Sequence, residues 1–281
     1  MATTAQKART LEADVNYVAA MDSMPYFYAK DHERDNLDLE THRVSIADMR
    51  DAEDRPQIER DGFELVDHES AVGDFNDPEE VAETYTAEIE KLIREKMGAD
   101  HVVATRGGVL RFSQKTPRPD LVNSLPAGFA HIDYSRASFD RFAVQHLADH
   151  PEKDALLAGR YAAYNIWRVL SPPPQDMPLT VCAAPSMADS DRLEGEARID
   201  GPGMTEADEI RFGSSLIKAS PEHRWYWFSN MTPGEALLFK AFDSDLNRVQ
   251  GCPHTAFVNP DPDANPRASI ETRAYAYWKA P

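Results

Sequence analysis

The sequence predicts a mainly β chain with flanking helices, built as a sandwich or barrel, and three observations carry that expectation. Short runs rich in β-branched and aromatic residues recur through residues 101–278, divided by Pro, Gly, Asn and Asp. Only one long stretch keeps helical spacing, and no regular strand–helix alternation marks an α/β sheet. No internal repeat or low-complexity linker breaks the 281 residues. One domain is therefore expected, with about 1–100 as an N-terminal scaffold carrying a long helix and about 101–281 as the β core.

Taken in order, the first 75 residues read as short strands and loops, among them Arg43–Ile46 and Gly62–Val66. A helix follows. Asp77 can cap it, Pro78 suits its first position, and Glu79 and Glu80 complement the positive end of its dipole. Val81, Tyr85, Ile89, Leu92 and Ile93 then recur at helical spacing until Gly98 closes the run, so an apolar stripe is expected against a sheet. The expected strands beyond it are His101–Thr105, Val109–Phe112, Phe129–Asp133, Ala162–Leu170, Leu179–Ala183, Trp225–Ser229, Ala236–Phe242, His254–Val258 and Ser269–Trp278. A helical insertion over about 139–158 interrupts them, and Pro172–Pro174 reads as a rigid turn.

The formal charge is −18, from 48 acidic against 30 basic residues, with no clustered Lys/Arg stripe. Such a surface repels phosphate backbones, which excludes nucleic acid as an expected partner. No run approaches the roughly 18 apolar residues that a membrane span needs, and Met1–Leu11 lacks the apolar segment of a signal peptide. The two cysteines, Cys182 and Cys252, form no CxxC pair and suit a reducing cytoplasm.

Chemistry is expected at the histidines. Iron(II) held by two imidazoles and one carboxylate keeps three positions for a co-substrate and O2. His131-Ile132-Asp133 can supply two of those ligands from one strand face, because residues i and i+2 point the same way. Chance alone supplies one or two His-x-acid tripeptides in a chain with nine histidines and 48 acids, and two occur. The other, His150-Pro151-Glu152, opens a helical stretch where imidazole and carboxylate diverge. The weight rests on what lies downstream. His254 begins a strand-like run after the Gly251-Cys252-Pro253 turn, and Arg267 and Ser269 share a strand face further on. An arginine with a hydroxyl beside it is what the distal carboxylate of an iron-chelating 2-oxoglutarate requires. Arg273 lies on the same face and is the alternative anchor, the bland reading of both arginines being a surface ion pair with Glu271.

The chain also carries, in order, Asp48-Met49-Arg50, Gly62-Phe63-Glu64-Leu65-Val66, His131-x-Asp133, Asn165-Ile166-Trp167-Arg168, His223-Arg224-Trp225-Tyr226, Met231-Thr232-Pro233-Gly234-Glu235, His254-Thr255-Ala256-Phe257 and Pro266-Arg267-x-Ser269-Ile270-Glu271-x-Arg273. This collinear series resembles the CmcJ/AsaB/NvfI-type hydroxylase/desaturase family of secondary metabolism over nearly the whole chain. The resemblance implies a double-stranded β-helix (jelly-roll, cupin-like) core that uses Fe(II), 2-oxoglutarate and O2. It implies His131, Asp133 and His254 as metal ligands and Arg267, with Arg273, as the co-substrate clamp. Two departures stand out: Tyr134 where the family pattern has Gln, and Thr105-Arg106-Gly107-Gly108 where it has an Asp-His-Thr type of run. Tyr134 and Arg106 are therefore expected at the substrate.

Asn165 and Trp167 alternate on one strand face, Asn165 as a donor to the co-substrate and Trp167 as a pocket wall, each against a packing role. Tyr226 is a further donor to co-substrate or substrate, on a strand where packing is the default. Lys240 reads as a snorkelling edge residue, and His68, His101 and His146 as structural or exposed. The expected activity is hydroxylation, desaturation or cyclisation of a small secondary-metabolite or amino-acid-derived substrate, with succinate and CO2 released. A cupin-like metal isomerase or hydrolase without 2-oxoglutarate, and a metal-free jelly-roll binding module, are the rival readings. A homodimer rests on analogy alone.

Overall fold

A computed structural model of the chain describes residues 9–29, 31–116, 118, 125–200 and 204–280. The expectation of no signal segment at Met1–Leu11 thus falls mostly outside the described residues. Fifteen strands are described: β1 (Thr10–Val18), β2 (Tyr26–Tyr28), β3 (Leu39–Asp48), β4 (Phe63–Asp67), β5 (His101–Ala104), β6 (Val109–Phe112), β7 (His131–Ile132), β8 (Arg160–Val169), β9 (Leu179–Cys182), β10 (Arg192–Ile199), β11 (Ile210–Ile217), β12 (Trp225–Trp227), β13 (Glu235–Asp243), β14 (His254–Ala256) and β15 (Ala268–Trp278). Nine of them form one sheet in the order β1-β3-β12-β9-β14-β7-β11-β10-β2. The second sheet runs β4-β13-β8-β15-β5, with β6 also paired to β15. Two curled sheets facing one another make the jelly-roll core that the resemblance implied.

Strand alternation explains the layers. On β8, Tyr164 and Ile166 join Ile270 and Ala274 of β15 beneath the helical layer. The opposite faces carry Asn165, Trp167, Ser269, Glu271 and Arg273 toward the other sheet. The cluster that ties the sheets together draws Val15 and Tyr17 from β1, Trp225 and Trp227 from β12, and Tyr275 and Tyr277 from β15.

The long helix forms as its residues predict. Asp77 Oδ1 accepts from the Glu79 and Glu80 amides at 2.9 and 3.3 Å, Pro78 opens α1 (Pro78–Glu80), and a π-helical turn (Val81–Tyr85) leads into α2 (Thr86–Met97). Gly98 ends it at φ 61°, the left-handed region that glycine tolerates best. Tyr85, Ile89 and Ile93 are buried against the six-stranded sheet. The insertion resolves into α3 (Arg136–His146), opened by a Ser135–Ser138 capping box, and α4 (Lys153–Leu157).

Two expectations need correction. The N-terminal strands are longer than read: β1 and β3 pair over their length at one edge of the nine-stranded sheet. Lys240 is no edge residue, because its strand β13 lies between β4 and β8. Its ammonium is fully buried and donates to Asp243 at 3.0 Å and Glu59 at 3.1 Å. A buried cation requires such partners.

Candidate active site

Four strands deliver the polar floor of the site. β7 is only two residues long, held between β11 and β14, and His131 stands directly opposite His254 across the β7–β14 pair. The approach of His254 needs Gly251: a Cβ there would lie 2.5 Å from Ile132 and 2.7 Å from the Ala241 carbonyl. The turn can close on β7 only without a side chain. Asp133 follows β7 directly, and β8 and β15 bring Asn165 and Arg273 to it from the opposite sheet.

His131, Asp133 and His254 are buried, and one donor atom of each lies within 4.8 Å of the others. The imidazole rings are 4.4 Å apart between centroids. His131 Nδ1 donates to the Phe129 carbonyl at 3.0 Å, and His254 Nδ1 faces the Cys252 carbonyl at 3.5 Å. A carbonyl can only accept, so each Nδ1 carries its proton and each Nε2 keeps its lone pair for a metal. The two Nε2 atoms flank Asp133, 3.9 Å from Oδ1 and 4.0 Å from Oδ2.

The charge states suit a divalent cation. Burial, then the neighbouring His254, pushes His131 down to about 4, and burial also lowers His254, so both rings are neutral at physiological pH. Burial alone would raise Asp133, but Arg273 and the two imidazoles outweigh it and hold the carboxyl well below the usual range. Arg273 Nη2 donates to Asp133 Oδ1 at 2.5 Å, and Asn165 Nδ2 donates to Oδ2. Two neutral imidazoles and an oriented carboxylate are the 2-His-1-carboxylate donor set of non-haem iron(II) sites, so the residues fit that ion.

Arg267 lies beyond the ligands. Its Nε donates to Ser269 Oγ at 2.9 Å, its Nη1 to the Met177 carbonyl at 2.9 Å, and its guanidinium carbon stands 5.1 Å from the Trp167 ring. Asp176 fixes the entry to β15 by accepting from the Arg267 amide at 2.9 Å. Burial and the neighbouring Arg111 lower Arg267 to about 9, which leaves it cationic at neutral pH. A narrow cavity joins Arg267 to His131, Asp133, His254, Arg111 and Glu271.

On the other side of His131 and Asp133 opens a cavity of about 420 Å³. Its walls are mostly apolar: Phe27 on β2, Ala197 and Ile199 on β10, Phe212 on β11, and Val109 and Leu110 on β6. Gly107, at φ 74°, and Gly108 complete it. A Cβ on Gly108 would meet Ile270 at 2.4 Å, so only glycine allows that loop to press on β15.

The structure thus brings together His131, Asp133, His254, Arg267, Ser269, Arg273 and Asn165. The ion pair with Glu271 that was the alternative reading of either arginine forms with Arg273 at 3.4 Å, in the site rather than at the surface. Trp167, Tyr226, Arg106 and Tyr134 line neither cavity, and Asn165 is in the site with a different partner from the one expected. Asn165 is spent on Asp133 and Glu271 instead of a co-substrate. Trp167 is buried under Arg267 and lines neither cavity. Tyr226 packs against Phe63 at 5.6 Å between ring centroids. Arg106 is exposed on the β5–β6 loop, where its glycine neighbours line the cavity in its place. Tyr134 lies behind Arg273, its ring 5.5 Å from the guanidinium. Reading by residue missed Arg111, which is opposite Ser269 in the β6–β15 register and lines both cavities. Its signal was faint: one cation in the apolar run Val109–Phe112.

Comparison with known proteins finds relatives along most of the chain. A family model described as "YDMC: Oxidoreductase/YMDC permease-like domain" matches residues 15–277. The chain is 31% identical over 213 residues to the hydroxylase/desaturase efuI of Hormonema carpetanum, covering 71% of each chain. It is 38% identical over 161 residues to the hydroxylase/desaturase asaB of Aspergillus flavus, covering 53% of this chain and 70% of that one. Against the Fe(II)/2-oxoglutarate-dependent dioxygenase nvfI of Aspergillus novofumigatus the identity is 27% over 203 residues, 69% of this chain and 66% of the relative. A solved structure of the iron and alpha-ketoglutarate-dependent endoperoxidase NvfI superposes with a TM-score of 0.80 at 23% identity, over 96% of this chain and 99% of that one, a likeness of fold. Among the described residues no helix is long and apolar enough to cross a membrane.

Proposed function

This chain belongs to the hydroxylase/desaturase family of iron(II)- and 2-oxoglutarate-dependent oxygenases, and we propose that His131, Asp133 and His254 hold its iron while Arg267 anchors its co-substrate. The carrying observation is the convergence of the three donors within 4.8 Å beside a cavity that ends on a buried arginine. The named oxygenase relatives set aside the rival isomerase and metal-free binding readings.

When bound, iron(II) and 2-oxoglutarate activate O2, and decarboxylation of the co-substrate to succinate supplies the oxidising power spent on a substrate C–H bond. The residues of the chain do the rest. Arg267, steadied by Ser269, receives the distal carboxylate, with Arg111 as a second cation along the cavity. Arg273 is the positioning partner, since its guanidinium is committed to Asp133. Together with Asn165 it fixes both carboxylate oxygens and so the plane in which Asp133 meets the metal. The apolar walls exclude water and lay a small neutral substrate over the face of His131 and Asp133. The buried, free thiols Cys182 and Cys252 support a cytoplasmic, reducing location.

The test is anaerobic loading with iron(II) and 2-oxoglutarate, then addition of O2 and measurement of succinate. The expected result is succinate from the natural sequence and neither iron uptake nor succinate from His131→Ala. Iron uptake that survives in His131→Ala would overturn the ligand assignment.

A further inference from the structure

The tyrosines around the site form a second feature. Tyr134 follows the ligand Asp133 in the chain and stands against Arg273, which bonds that carboxylate. From Tyr134 the ring of Tyr275 is 6.0 Å away, Tyr277 lies 6.4 Å beyond it in a stacked pair, and Tyr161 is 6.3 Å further. Phe139 bridges the same span, 5.7 Å from Tyr275 and 5.3 Å from Tyr161. All these spacings fall in the range of ring contact. The inner hydroxyls end on backbone carbonyls, Tyr275 on Phe139 and Tyr277 on Ala143, which cannot take a proton. Tyr161 differs. Its hydroxyl donates to Asp140 Oδ1 at 2.9 Å, and Asp140 is 41% exposed.

A phenol that loses an electron becomes a strong acid, so oxidation settles where a base waits. We propose that Tyr134, Tyr275, Tyr277 and Tyr161 form an electron path that discharges the oxidising iron centre when no substrate fills the cavity, with Tyr161 as the site of oxidation. The proposal rests on the oxygenase reading, which supplies the oxidant. In each passage Tyr161 loses one electron and gives its phenolic proton to the Asp140 carboxylate, leaving a neutral phenoxyl radical. The electron would cross the inner rings toward the His131, Asp133 and His254 cluster, where bound iron would accept one reducing equivalent, with one proton from solvent balancing the charge. A thiol or ascorbate in solution returns a hydrogen atom to Tyr161 and is itself oxidised, and Asp140 releases its proton to solvent. The chain thereby diverts damage from the Phe27 and Phe212 walls.

The experiment exposes protein loaded with iron(II) and 2-oxoglutarate to O2 without substrate. It measures succinate, the phenoxyl radical by freeze-quench electron paramagnetic resonance, and oxidised residues by peptide mass spectrometry. A phenoxyl signal is expected that is lost in Tyr161→Phe, with succinate formation unchanged and wall oxidation increased. Asp140→Asn, which leaves every ring in place, is expected to lose the signal as well. Succinate without a phenoxyl signal, a signal that survives both variants, or oxidation mapped to Trp167 overturns the path and leaves the oxygenase reading intact. Absence of both succinate and iron uptake overturns the two together.

Discussion

The polar floor of the site and the apolar wall of the cavity of about 420 Å³ beside it are built by opposite rules. The floor is polar, and its two charged anchors are each held twice: Asp133 by Arg273 and Asn165, Arg267 by Ser269 and Met177. Its residues come from β7, β8, β14 and β15 and touch both sheets. The wall is a set of apolar side chains from β2, β10, β11 and β6, held by packing alone. A wall residue can change with local consequences, whereas changing a floor residue strips a buried polar or charged group of a hydrogen-bond partner. The fold can therefore keep one oxidative chemistry and present it to different substrates.

That contrast can be broken at graded strengths. Arg267→Ala should raise the KM for 2-oxoglutarate about a hundredfold, the loss of a buried charge-assisted pair of about 2–3 kcal/mol, while iron binding persists. A comparable rise from Arg273→Ala with none from Arg267→Ala would exchange their roles. Asn165→Ala should weaken iron binding by about tenfold, the usual scale for a group that orients a ligand, read by competition with a chelator.

The pH dependence of the iron-free protein is the next effect. The folded His131 holds its proton only below about 4, against an ordinary value of 6.5. Through that window the unfolded chain binds more protons than the folded one, so stability rises with pH and falls on acidification. Denaturant midpoints should follow this slope and flatten in His131→Gln; an unchanged slope would show that the ring is protonated normally in the folded state. The smallest effect belongs to the wall. Phe212→Leu should shift stability by under about 1 kcal/mol and leave iron and 2-oxoglutarate affinities unchanged, while altering how much succinate forms per substrate oxidised. Lost iron affinity in that variant would erase the distinction between floor and wall.

The same division governs what could be read from residues. The floor was legible because its signals are local: period-two spacing places Arg267, Ser269, Glu271 and Arg273 on one face of β15, and a turn announces His254. The helix from Asp77 to Gly98 was legible for the same reason. The wall was not. β10 and β11 pair residue for residue, yet neither stood among the expected strands, although Arg192–Ile199 alternates charged residues with apolar or small ones as a half-buried strand does. Tyr134, Tyr226 and Arg106 fell away from the cavities because their directions depend on which strand lies across from them. Lys240 was misjudged likewise: an edge and a centre strand look alike until the neighbours are known.

The two-residue strand β7 has one more consequence. Its partner across the pair, His254, belongs to the same sheet, whereas Asn165 and Arg273, which hold Asp133, belong to the other. An ion held by His131, Asp133 and His254 would fasten to the nine-stranded sheet and reach the other layer through the bonds of Asp133 to Arg273 and Asn165. Removing it should be felt mechanically, as faster amide exchange in β8 and β15, which donate no ligand. The cell's free iron would then set how long the protein lasts as well as how fast it works.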